Sequence, residues 1–122
     1  MAKTIMIVDD SSSLRTVVGL ALKGAGYDVV EGCDGRDALA KLDGRKIHLV
    51  ISDVNMPNMD GITFVKQMKN LPAYKFTPVI MLTTEASEAK KTEGRDAGVK
   101  AWVVKPFQPQ QMLMAVQKLV LP

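Results

Sequence analysis

The chain has 122 residues and a mass of 13.3 kDa, enough to bury one core and too few for two. Its 47% hydrophobic and 24% charged content lies near the globular average, which excludes a disordered tail and a fibrous repeat. The net charge of +3 arises from sixteen Lys and Arg interleaved with thirteen Asp and Glu along the chain, so a mixed solvated surface is expected and a nucleic-acid-binding face is not.

Ile5 to Val8 is a short apolar run that ends in Asp9-Asp10, and Ser11-Ser12-Ser13 then offers N-caps for a helix. In that helix Leu14, Val17, Val18, Ala21 and Leu22 recur at helical spacing and are expected to form one apolar stripe, with Gly24 and Gly26 as the stop. A second strand spans Tyr27 to Glu31. Asp34-Gly35 opens a shorter helix with Ala38, Leu39 and Leu42 facing inward and Gly44 as its C-terminal breaker. The third strand, Leu49-Val50-Ile51-Ser52, is apolar on both faces and so belongs inside a parallel sheet; it ends at Asp53. Asn55-Met56-Pro57-Asn58-Met59-Asp60-Gly61 follows, a sharply turning loop that leads into a helix from Gly61 to about Lys69, with Pro72 at its exit. The fourth strand is Pro78 to Leu82, ending in Thr83-Thr84-Glu85. A polar helix runs from there to about Ala97, stopped by Gly98. Ala101 to Val104 forms the last strand before Lys105-Pro106-Phe107, and a final helix from about Pro109 to Val120 turns Met112, Leu113, Val116, Leu119 and Val120 to one side.

Five strand-helix units in strict alternation predict one domain over residues 1–122. The expected fold is an α/β, (βα)5 doubly wound parallel sheet in the flavodoxin-like order 2-1-3-4-5. In that order Asp9 and Asp10 face Asp53 across the crevice between the first and third strands. Three gathered carboxylates repel one another unless a cation or protons intervene. Oxygen-only ligands with room for water and phosphate favour Mg²⁺ over Ca²⁺. Thr83 adds a hydroxyl and Lys105 an ammonium at the same edge, a set suited to a phosphoryl group. His48 belongs at the opposite end of the third strand, away from this chemistry. Cys33 is the only cysteine, so an internal disulfide and a multi-cysteine metal site are both excluded. No apolar run approaches twenty residues, and Met1-Ala2-Lys3-Thr4 enters the first strand without a leader-like segment. A cytoplasmic protein without membrane contact is expected.

With Val8-Asp9-Asp10, Ser52-Asp53, Met56-Pro57-Asn58-Met59-Asp60-Gly61, Leu82-Thr83-Thr84 and Lys105-Pro106-Phe107 in place, the chain resembles the receiver domains of two-component response regulators over nearly its whole length. It is most similar to the single-domain, CheY-type chemotaxis class. The resemblance implies that Asp53 takes a phosphoryl group from the phosphohistidine of a CheA-type histidine kinase. It also implies that Asp10 binds Mg²⁺ directly, Asp9 largely through water, and Asn55 through its backbone carbonyl. Thr83 and Lys105 would contact phosphoryl oxygens, Asn55 and Glu85 would tune the rate of hydrolysis, and Trp102 would be the switch aromatic that moves with Thr83. Indole is larger than phenol, so its full burial is expected to be harder here.

The five units leave no residues for an output domain, so the signal is expected to leave by docking of a monomer, with Ala86 to Lys100 as the docking face. The flagellar motor switch is the target that the resemblance implies, and a phosphatase is a possible further partner. On this reading the protein is a switch that catalyses its own phosphorylation and dephosphorylation, not a turnover enzyme. Three alternatives compete. One is a phosphate sink or phosphorelay receiver that never binds the motor. A Mg²⁺-dependent aspartyl-phosphate phosphatase is disfavoured because the paired acids are adjacent and no cap insertion encloses a substrate. A flavin binder is disfavoured because acids occupy the loop where phosphate binding wants Gly and hydroxyls.

Overall fold

A computed structural model describes residues 2–122; Met1, where the leaderless amino terminus is expected to begin, lies outside the described residues. The five parallel strands are β1 (Thr4–Val8), β2 (Asp28–Gly32), β3 (Leu49–Ser52), β4 (Val79–Thr83) and β5 (Val99–Val104). They form one sheet in the order β2-β1-β3-β4-β5, as the alternation of units requires. The helices are α1 (Ser12–Gly24), α2 (Gly35–Lys41), α3 (Gly61–Lys69), α4 (Glu88–Ala97) and α5 (Pro109–Leu119). Among the described residues no helix is long and apolar enough to cross a membrane.

Strand side chains alternate between the two faces of the sheet, and each face has its own core. Ile5, Ile7, Leu49, Ile51, Ile80 and Leu82 meet Val18 and Leu22 of α1 and Met112 and Val116 of α5. Met6, Val8, Val50, Val79 and Met81 meet Ala38 of α2 and Ile62, Phe64, Val65 and Met68 of α3. Because β3 is central and every one of its residues is buried, the chain that follows it is held from both faces.

Several boundaries differ from the sequence reading. α2 closes at Lys41 with Leu42 as C-cap, two residues before Gly44, which turns the chain with φ 100° in the loop beyond. α3 runs from Gly61 to Lys69 as expected, with Asn70 as C-cap, and Pro72 beyond it opens a 3₁₀ turn, Pro72–Tyr74, whose buried Tyr74 accepts from the Gly44 N–H (2.9 Å) and donates to the Arg45 carbonyl (2.8 Å). α4 starts only at Glu88, capped by Ser87, and Gly98 ends it in the left-handed conformation. The expected α1 stripe is narrower than its spacing implied. Val18 and Leu22 are buried and Gly19 lies with them, whereas Val17 is 51% exposed.

Candidate functional site

The site is set by strand register. Val8 of β1 lies opposite Ser52 of β3, and the Asp53 N–H donates to the Val8 carbonyl at 2.9 Å. The next residues, Asp9 and Asp53, therefore leave the carboxyl edge side by side, and the turn into α1 adds Asp10. Carboxylate oxygens of Asp9, Asp10 and Asp53 lie within 4.8 Å of one another; Asp9 and Asp53 are buried and Asp10 is exposed.

Lys105 closes this group. Its backbone N–H donates to the Thr83 carbonyl at 2.8 Å, and its Nζ donates to Asp9 Oδ2 at 3.0 Å and to Asp53 Oδ2 at 3.1 Å. The Lys105–Pro106 peptide bond is cis. Each buried carboxylate has its other oxygen on a backbone donor. Asp9 Oδ1 accepts from Ser11 N–H at 2.9 Å, and Asp53 Oδ1 accepts from Val54 N–H at 2.7 Å. Thr83 ends β4 with its hydroxyl buried, accepting from Glu85 N–H at 3.1 Å.

Burial pushes the Asp9 carboxyl above its usual range; the Ser11 N–H and Lys105 oppose that shift, and the Asp53 charge adds to it. Burial would lower the Lys105 ammonium, but its hydrogen bonds to Asp9 and Asp53 outweigh this and raise it. One ammonium thus faces three carboxylates and leaves negative charge unneutralised. Oxygen-only donors, two of them buried and one free to turn, fit a hard metal ion.

A folded pKa raised above the unfolded value means that Asp9 contributes stability while protonated and loses it as pH rises through the folded value. Asp9→Asn is accordingly expected to raise the metal-free melting temperature at neutral pH while weakening metal binding; calorimetry at pH 7 in EDTA and in Mg²⁺ checks both.

The Asn55 N–H lies 3.4 Å from Asp53 Oδ1, and Glu85 is tied to Thr83 through its N–H. The Glu85 carboxylate accepts from the Ser87 hydroxyl (2.6 Å), and that bond, helped by the Asn55 side chain, holds it below the usual range. A hollow of about 370 Å³ bounded by Ser11, Leu14 and Val17 opens onto Lys105, which accounts for the exposure of Val17. His48 lies at the far end of β3, where its Nδ1 accepts from Thr4 N–H at 3.0 Å.

Trp102 is half-buried beneath α4, and its indole N–H donates to the Glu85 carbonyl at 2.7 Å. Glu85 is thereby linked to Thr83 through its N–H and to Trp102 through its carbonyl. The ring is seated by a missing side chain, since a Cβ on Gly94 would stand 2.8 Å from the Trp102 Cζ3. Beside the ring, Lys91, Arg95 and Lys100 line a groove of about 430 Å³ between α4 and β5.

Sequence reading missed four supports of this site. Gly61 lets α3 begin directly against the Asp53 carbonyl. Arg15 donates from Nη1 to the Asp9 carbonyl (2.6 Å) and from Nε to Glu31 (3.0 Å). Gly94 seats the indole, and Asp34 holds Asn58 at 2.7 Å. Each depends on a contact between different elements of the fold, which local periodicity does not show.

Residues 5–117 match the response regulator receiver domain family. Protein PilG of Pseudomonas aeruginosa is 36% identical over 113 residues, covering 93% of this chain and 84% of that protein. Chemotaxis protein CheY1 of Helicobacter pylori is 40% identical over 108 residues, 87% of each. The solved structure of Vibrio cholerae chemotaxis protein CheY4 superimposes with a TM-score of 0.94 at 46% identity, over 98% of this chain and 100% of that one. With its sheet order, its acidic edge and these relatives in agreement, the chain belongs to the receiver domains of two-component response regulators.

Proposed function

We propose that the protein is a phosphorylation-controlled switch of a chemotaxis-type pathway, and that Asp53 accepts its phosphoryl group from the phosphohistidine of a histidine kinase in a Mg²⁺-dependent reaction. The observation that carries this reading is the Lys105 ammonium shared between Asp9 and Asp53, with Asp10 open to solvent beside them. A carboxylate oxygen of Asp53 forms a bond to phosphorus as the donor P–N bond breaks, and the departing imidazole takes up a proton from solvent. Asp10, Asp53 and the Asn55 carbonyl would hold Mg²⁺, with Asp9 acting indirectly. When bound, the ion supplies charge neutralisation to the phosphoryl oxygens. Lys105 turns from the carboxylates to one phosphoryl oxygen, and the Thr83 hydroxyl gives up the Glu85 N–H to donate to another. That movement loosens the Glu85 carbonyl on which the Trp102 indole N–H rests.

The groove between α4 and β5, with its three cations around Trp102, is the docking face in this account, and an acidic segment of the partner is its complement. Two relatives are named chemotaxis proteins, and the partner in this reading is a flagellar motor switch protein, as the sequence resemblance implies. On this reading the chain catalyses its own phosphorylation and dephosphorylation and turns over no other substrate.

Incubation with a small acyl phosphate and Mg²⁺ tests the reading. Intact mass is expected to show one labile phosphoryl adduct, absent in EDTA and in Asp53→Asn; an equal adduct on the variant would refute Asp53 as acceptor. Reversing Lys91 and Arg95 to Glu is expected to weaken partner binding by about 10-fold or more, the loss of two charge-assisted contacts, without changing the adduct. Normal phosphorylation with no motor-protein binding in any state would leave a phosphate sink.

A further inference from the structure

The loop from Asp53 to Asp60 carries the acceptor carboxylate at one end and the Asn55 carbonyl assigned above to the metal, yet it contains no helix or strand of its own. Its outer half is tied to the junction of β2 with α2, a segment that supplies no ligand. Asn58 is the one non-glycine residue with positive φ (67°) among the described residues, and its Nδ2 donates to Asp34 Oδ2 at 2.7 Å. Asp34 is 8% exposed, and its Oδ1 accepts from the Asp37 N–H at 2.8 Å to cap α2. Both of its oxygens are engaged, first by the Asp37 N–H and then by the Asn58 amide, and these hold its carboxyl below the usual range. One residue further along, Met59 lies so close to Gly35 that a Cβ there would stand 2.8 Å from the Met59 Cγ.

We infer that Asp34, acting through Asn58, is a positioning residue for the metal site: the tie to α2 fixes the loop that presents the Asn55 carbonyl to the cation. This inference rests on the reading of the site as a Mg²⁺ site. A left-handed residue costs conformational energy, and Asn is among the few non-glycine residues that bear it cheaply. Here the residue that bears it also makes the bond. Releasing the bond frees the loop to relax, and the Asn55 carbonyl moves with it, so metal affinity should fall before the fold does.

Calorimetric titration of the full chain with MgCl₂, without phosphodonor, is the test, with the melting temperature in EDTA as the control for folding. Asn58→Gly keeps the backbone conformation and removes the bond; it is expected to weaken Mg²⁺ binding by about 10-fold, the scale of a lost supporting hydrogen bond around a metal site, with little change in the metal-free melting temperature. Asn58→Asp sets two carboxylates against each other and should weaken binding further, although its added negative charge would by itself strengthen it. Combining Asp34→Asn with Asn58→Asp restores a donor, an acceptor and the native total charge, and is expected to return the affinity to the native value. Unchanged or tighter binding in both single variants, or no recovery in the exchanged pair, would overturn the inference while leaving the Mg²⁺ site standing. A native chain that binds no Mg²⁺ would overturn both.

Discussion

Replacing Gly61 with Ala is expected to lower stability by about 3 kcal/mol or more, which for a domain of this size is a fall of about 10 °C in melting temperature. Gly61 is buried at the first position of α3, and its N–H donates to the Val54 carbonyl at 2.7 Å. A Cβ there would lie 1.9 Å from the Asp53 carbonyl oxygen and 2.9 Å from its carbon. The atoms in the way are backbone, already fixed by the Ser52 hydroxyl donating to the same carbonyl at 2.8 Å, so no side chain can swing aside. Relief requires α3 to back away from β3 or Asp53 to move. Either motion also displaces the acceptor carboxylate, so Mg²⁺ affinity should fall together with the melting temperature. Calorimetry with and without Mg²⁺ checks the pair of effects, and a variant that melts within a few degrees of native would contradict the packing described.

Lys105→Met is expected to divide two properties that most active-site substitutions lower together. In the metal-free protein the ammonium is the partner of both Asp9 and Asp53, whose side chains are only 3% and 10% exposed. Removing it leaves two buried carboxylates without a cation, which should destabilise the apo protein. The same removal takes away the positive charge that competes with a divalent ion, so Mg²⁺ should bind more tightly and restore the lost stability. Phosphoryl transfer should nevertheless slow by about 100-fold or more, because a cationic donor aimed at the transferred group is absent when its charge reorganises. Titration calorimetry and the rate of adduct formation are the measurements. Weaker Mg²⁺ binding together with an unchanged transfer rate would show that Lys105 acts as a structural bridge and not as a phosphoryl contact.

The parts of this account that were legible in the sequence are those governed by neighbours in the chain. Leu49 to Ser52 could only be a strand buried on both faces, and five such alternations left few sheet orders to choose from. Once β1 and β3 are neighbours, the meeting of Asp9, Asp10 and Asp53 follows from register, and the arrival of Lys105 from the pairing of β4 with β5. Less could be read where one residue's role depends on a distant gap. Trp102 is seated because Gly94, eight positions earlier and on another element, has no side chain; in sequence that glycine is one more small residue in a polar helix. Val17 fits the apolar period of α1 yet lies at the edge of that stripe, facing the hollow beside Lys105, while Val18 and Leu22 are buried against the sheet and Leu14 and Ala21 pack beside them. Asp34 reads locally as an N-cap and is one, while its second bond, to Asn58, spans 24 positions. Helix ends shifted by a few residues for the same reason. Gly44 is a strong breaker, but α2 ends earlier, at its Leu42 cap, whereas α3 ends at Lys69 as its spacing predicts.

The measurement that tests the central claim most directly is the fluorescence of Trp102 during titration with Mg²⁺ and then beryllofluoride, in the native chain and in Asp53→Asn. Trp102 is the only tryptophan, and its indole is hydrogen-bonded to the residue that also contacts the Thr83 hydroxyl, so its emission reports the link between the acidic edge and the groove. The account predicts a saturable change with Mg²⁺, a further change with beryllofluoride that requires Mg²⁺, and loss of the second change in the variant. A response to Mg²⁺ with none to beryllofluoride in either protein would contradict it, leaving an acidic metal site without a switch.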